Sequence, residues 1–195
     1  MKVIFLDGEK IYLRPLGRSD AELILPWVND QEVTRTLLLH RPVNLESEEE
    51  FLARMTRSET DVILGIVEKT SDRLIGVVGL PQIDYRNRHS SFGIFIGDKS
   101  KWGKGYGTEA TFLCVKYAFG TLNLNRVWLH VSADNPGAIR AYEKVGFRKE
   151  GLLRQHLYRD GRHLDILVMA VLRDEWPPDS LTGRRTARPS RDLRA

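Results

Sequence analysis

Lys101-Trp102-Gly103-Lys104-Gly105-Tyr106-Gly107-Thr108-Glu109-Ala110 sets three glycines among large and basic residues, directly ahead of an apolar-periodic helix. A β-rich run, Ser90-Ser91-Phe92-Gly93-Ile94-Phe95-Ile96-Gly97, comes before it. Glycine allows a sharp turn and lets a ligand come close to the main chain. A helix N-terminus behind such a loop adds free N–H groups and the positive end of the helix dipole. Strand, loop and helix together form a site suited to a phosphate or pyrophosphate. The rest of the chain has to say whose phosphate it is.

The 195 residues fit one domain of ordinary size, and an apolar share of 42% supports a real core. No apolar run approaches the roughly 20 residues of a membrane span. The opening Met1-Lys2-Val3-Ile4-Phe5-Leu6-Asp7 is too short for a signal peptide. One cysteine, Cys114, excludes an internal disulfide and fits a reducing cytoplasm. It falls on the apolar side of a helix, as a small core residue would. The net charge of +4 is unevenly placed: residues 177–195 hold five arginines and two aspartates, leaving residues 1–176 near neutrality. A fold-wide nucleic-acid surface is therefore not indicated. The expected organisation is a domain over 1–176 and an Arg/Pro-rich flexible tail over 177–195, free to touch RNA or a ribosome.

Along the chain, Lys10 to Pro15 reads as a strand, and Ser19 with Glu22 as a capping box for a helix carrying Leu23, Ile24, Trp27 and Val28. Pro26 stands to shorten that helix. Gln31 to Pro42 looks irregular, and Asn44 to Ser58 reads as a helix whose Glu46, Glu48, Glu49 and Glu50 form a solvated end. Strands over Asp61–Lys69, Leu74–Asp84 and Arg88–Gly97 make an antiparallel meander. A helix from Thr108 to Phe119, a strand from Arg126 to Val131, a short helix from Ala138 ended by Gly146, and a final hairpin over 147–172 complete the pattern. The fold class is α/β (α+β): a mixed, mostly antiparallel sheet of about seven strands with helices on both faces.

A Rossmann loop would follow the first strand of its domain and space its glycines differently. A Walker loop needs Ser or Thr after Gly-Lys, and Lys104 is followed by Gly105. A third reading is a loop for the pyrophosphate of an acyl-CoA. Trp102 to Ala110, followed by Asn135-x-x-Ala138-x-x-x-Tyr142-x-x-x-Gly146-Phe147, resembles the GNAT superfamily of acetyl-CoA-dependent N-acetyltransferases. The Trp at 102, the opening Ile11-Tyr12-Leu13-Arg14-Pro15-Leu16 and the late run Gly151 to Asp165 are similar to the branch holding ribosomal-protein N-terminal and spermidine acetyltransferases. The resemblance covers about residues 9 to 176.

That resemblance implies acetyl-CoA as donor and a primary amine as acceptor, either a small molecule or a peptide. It implies that the strand Phe92 to Ile96 splays from its neighbour, with Ile94, Phe95 and Ile96 offering main-chain groups to the pantetheine arm. The amides of Trp102, Gly103, Lys104, Gly105, Tyr106, Gly107 and Thr108 would wrap the pyrophosphate, and Lys101 and Lys104 would add charge. Thr108 could cap the helix as well. Tyr142 becomes the general acid for the leaving thiolate; Asn135 bonds the pantetheine arm or caps a helix. No residue is marked as general base, since Ser90 and Ser91 stand where some relatives carry Glu; His89, Asp84 and Glu32 lack a spacing argument. The acceptor wall would be Asn29 to Leu45, with Trp27, Arg35, His40 and Arg41, and the hairpin residues Arg154, His156, Tyr158 and Asp165. A homodimer is compatible. No metal is expected, because His130 and His163 have no companions at ligand spacing. A non-catalytic acyl-CoA-binding module on the same fold is the competing expectation.

Overall fold

The structure, a computed structural model, describes residues 2–35, 37, 39 and 41–176. The tail expected over 177–195 and the wall residue His40 lie outside the described residues. Two sheets organise the chain. The first has the order β1 (Leu6–Asp7), β2 (Ile11–Pro15), β3 (Val62–Glu68), β4 (Arg73–Leu80), β6 (Gly93–Ile96), antiparallel throughout. The second has the order β5 (His89–Ser91), β7 (Arg126–Ser132), β9 (Arg162–Leu172), β8 (Arg148–Arg159).

Alternation along the first sheet supplies two apolar faces. Ile11, Leu13, Ile66 and Ile75 point to a core shared with α4 (Tyr106–Gly120) and α5 (Pro136–Val145). Tyr12, Val67 and Leu74 point the other way, to α1 (Ala21–Val28) and α3 (Leu45–Arg57). In the second sheet Val127, Leu129 and Val131 enter the first core, as their period-2 spacing predicts. Cys114 is fully buried in it, and burial pushes its thiol up to about 12.

The main departure concerns Arg88 to Gly97, expected as one strand. It breaks at Phe92: β5 pairs in parallel with β7, while β6 pairs antiparallel with β4. The chain changes sheets there, with the Phe92 ring buried against Tyr142 and Phe147 at centroid distances of 6.1 and 6.0 Å. The hydroxyls of Ser90 and Ser91 both donate to the Pro81 carbonyl, at 2.8 and 3.0 Å, and fix the crossover. The break and the short added strand β1 turn the expected strands, about seven, into nine among the described residues, in two sheets that separate beyond this point.

Smaller differences have local causes. Ser19 caps nothing; it lies in a 3-10 turn, Arg18–Asp20, whose Asp20 accepts from the Gly17 amide and pairs with Arg14. Residues 31–34, expected to be irregular, form a one-turn helix α2 (Gln31–Thr34) because Asp30 accepts from the Glu32 amide at 2.8 Å. Asn44, expected as the first residue of the helix, is instead the cap of α3, and Glu48 of the acidic run is buried, which raises its carboxyl above the ordinary value.

Candidate active site

The glycine loop joins β6 to α4. A 3-10 turn over Lys99–Lys101 leads into it, and there the Trp102 amide donates to the Lys99 carbonyl at 3.2 Å. The amide series expected to begin at Trp102 therefore begins one residue later. The amides of Gly103, Lys104, Gly105, Tyr106, Gly107 and Thr108 meet no acceptor among the described residues. Two features keep them free. Gly103 and Gly105 take φ values of 73° and 87°, which favour glycine. The helix cap is Gly105 itself, with no side chain to close the first turn. Thr108 is therefore not the cap. The result is a run of N–H groups at the positive end of a 15-residue helix. Lys104 is exposed, with no acidic partner among the described residues. Lys101, expected beside a phosphate, is instead held by Glu68 at 2.7 and 2.8 Å.

The edge of β6 leads into this loop. Residues 93–96 pair with β4 on one side, and among the described residues no strand pairs on the other. Antiparallel pairing alternates, so every second residue turns its N–H and C=O toward the partner. Gly97 donates to the Ile75 carbonyl at 2.9 Å, so residues of its parity, including Phe95, face β4. Ile94 and Ile96 then face the gap between the sheets, and the expected contribution from the Phe95 main chain falls away. The Trp102 indole takes the Ile96 carbonyl at 2.8 Å, pinning the loop to the strand.

Beside the break at Phe92 stands Tyr142 of α5, 8% exposed. Its ring also meets Phe147 at 5.8 Å. Burial pushes its phenol up to about 12, so the group stays protonated at ordinary pH. Asn135 caps α5, accepting from the Ala138 amide at 3.1 Å.

On the opposite wall the Trp27 ring lies directly against Gly97, where a β-carbon would collide with it. Lys99 bridges Asp30 at 2.8 Å and Glu32 at 2.9 Å, tying the α1–α2 connection to the start of the loop. Glu32 is thereby engaged and does not stand free as a base. Asp84 is held below its ordinary value by the Asn87 amide and side chain. His89 lies 3.9 Å from Asp84. The Arg159 guanidinium, missed as a wall element, donates to the carbonyls of Thr34, Leu37 and Leu39, joining the hairpin tip to the α2–α3 connection. Arg154, His156 and Tyr158 are exposed on the same hairpin, and Asp165 accepts from the Gln155 amide. Among the described residues no three His, Cys, Asp or Glu gather as a metal site. Glu68 was also missed; no spacing rule joins it to a loop 33 residues away.

A model for the acetyltransferase (GNAT) domain matches residues 10–148. Spermidine N(1)-acetyltransferase of Vibrio cholerae is 30% identical over 87% of this chain and 96% of its own. YdaF of Bacillus subtilis, named provisionally as a ribosomal N-acetyltransferase, is 30% identical over 87% and 94%. The crystal structure of V. cholerae spermidine N-acetyltransferase with CoA and spermine superposes with a TM-score of 0.80 at 28% identity, covering 86% of this chain and 98% of that one.

Proposed function

The chain belongs to the GNAT acetyltransferase family, and we propose that it passes the acetyl group of acetyl-CoA directly to a primary amine of a small polyamine. Family membership makes it an acetyl-CoA-dependent acyltransferase acting on amines. The acceptor and the part played by each residue are our proposal.

One observation carries it: an unpaired strand edge runs straight into a loop of unengaged amides. The Gly103–Thr108 amides and Lys104 hold the pyrophosphate, and the Ile94 and Ile96 main chain aligns the pantetheine arm. An N–H on that edge donates to the thioester carbonyl and stabilises the oxyanion as the amine attacks. The C–N bond forms, the C–S bond breaks, and the sulfur leaves as thiolate. Tyr142 donates its phenolic proton to that sulfur, and the proton shed by nitrogen restores the phenol through solvent. Burial raises the phenol, so Tyr142 stands protonated beside the leaving sulfur and donates a hydrogen bond to it as charge builds there. Among the described residues Glu32 and Asp84 are held by other partners, so in this reading the amine enters neutral, and alignment of the two reactants supplies much of the rate.

The relatives, which include spermidine acetyltransferases, support a polyamine. The test is thiol release from acetyl-CoA across polyamines, N-terminal peptides, amino acids and amino sugars. A polyamine should exceed every other class in kcat/KM by about tenfold or more. A peptide at the head of the series would overturn the acceptor, and no thiol release with any amine would overturn direct transfer.

A further inference from the structure

The two ends of the glycine loop are gathered by one side chain that belongs to neither. Glu68 closes β3, three strands of sequence away from the loop, and is only 4% exposed. Lys101, at the loop's start, donates to both carboxylate oxygens at 2.8 and 2.7 Å. Tyr106, the first residue of α4, donates its hydroxyl to Oε1 at 2.5 Å. Ser71, in the β3–β4 turn, donates to Oε2 at 2.6 Å. Between the two anchors lie only Trp102, Gly103, Lys104 and Gly105.

We infer that Glu68 is a positioning residue for the pyrophosphate loop, setting the separation of its two ends and so the convergence of its amides. A four-residue segment with two glycines at positive φ loses much conformational entropy when ordered. Fixing both ends on one buried carboxylate removes part of that cost before ligand arrives. The clamp also assigns the loop's two lysines to separate tasks. Lys101 is neutralised inside the protein, and Lys104 remains for the ligand. Ionised carboxylate suits this: the Lys101, Ser71 and Tyr106 hydrogen bonds, in that order, lower Glu68 to about 2. The inference rests on the reading of this loop as the pyrophosphate cradle.

The experiment measures kcat and KM for acetyl-CoA and for S-acetylpantetheine, which lacks the pyrophosphate, with a fixed polyamine. In Glu68→Ala the ratio of kcat/KM for acetyl-CoA to that for S-acetylpantetheine should fall about tenfold, through KM for acetyl-CoA, with kcat changed less than about twofold. Glu68→Gln, which keeps one accepting oxygen and so can retain only one of the two hydroxyl donors, should fall in between. Glu68→Gln combined with Lys101→Gln should recover part of the loss by removing the unpaired charge. A ratio unchanged from the parent enzyme, or an equal loss with both donors, overturns the clamp. Gly105→Val separates the two failures: if it leaves the ratio intact, the cradle reading fails; if it collapses the ratio while Glu68→Ala does not, the clamp alone fails. Should Glu68→Ala not fold, Tyr106→Phe removes a single arm and should lower the same ratio about threefold; no change there overturns the proposal equally.

Discussion

Tyr142 and Cys114 show how burial alone sets the chemistry of a side chain. Both protons are held to about 12 by desolvation, yet only Tyr142 sits where the two sheets part. Tyr142→Phe should lower kcat about a hundredfold while changing KM for acetyl-CoA by less than about threefold. Equal losses in both would make Tyr142 a packing residue. Because the phenol titrates so high, no falling limb belongs to it below about pH 11. The rate should climb with pH toward the value of the acceptor amine, about 10.4 for an alkylammonium and about 8 for a peptide terminus. The midpoint of that limb therefore reports the acceptor class independently of the screen. Cys114, fully buried, should resist a thiol reagent in the native enzyme and react once the chain is denatured; rapid labelling of native protein would contradict its place in the core.

At the scale of elements, α4 is held by a contact its own periodicity does not reveal. Glu109, three residues past the start of the helix, is buried, and its Oε1 accepts from the Glu9 and Lys10 amides at 2.5 and 3.0 Å. The helix that presents the loop is thereby fastened to the β1–β2 turn, about 100 residues earlier in sequence. A β-carbon at Gly8 would run into Glu109 Oε1 and the Ile11 carbonyl. Gly8→Ala should therefore cost about 1–3 kcal/mol in denaturant unfolding. Glu109→Ala should cost a similar amount, about 1–3 kcal/mol, by orphaning two amides. Stability unchanged in both would mean that the turn and helix dock independently of this bond. The end of α5 at Gly146, the Asn135 cap and the hairpin turn at Asp160-Gly161 were legible because each is set by neighbours in sequence. The break at Phe92 was not, since an apolar run looks the same whether its two halves join one sheet or two.

For the whole molecule, the donor should act as a ligand of the folded state. Acetyl-CoA at a hundred times its Kd contributes about 2.7 kcal/mol. That corresponds to about 5–10 °C in Tm for a domain of this size. Removing 177–195 should leave this shift intact if the domain ends near residue 176; loss of the shift would give the tail a part in binding. Acid stability carries the mark of Glu68. Its folded-state value lies below the ordinary 4.5, so the stability it contributes is complete above about 4.5 and is lost as pH falls toward about 2. Glu68→Gln should flatten that acid limb, and an unaltered limb would mean the carboxylate is not held as the structure places it.

The family, the cofactor and the glycine loop were determined by the sequence itself. Motifs of local spacing, Gly103 to Thr108 and Asn135 to Tyr142, need only the chain's own turns and helices to take effect. The division of labour inside the site was decided by tertiary structure. Lys101 reads as a phosphate contact until β3 brings Glu68 to it. Phe95 reads as a main-chain donor until pairing with Val77 turns its amide to β4. The amide series reads as starting at Trp102 until the Lys99–Lys101 turn takes that one. In each case a charge or hydrogen-bonding group can satisfy only the partners that the fold brings within about 3 Å, and those partners are remote in sequence.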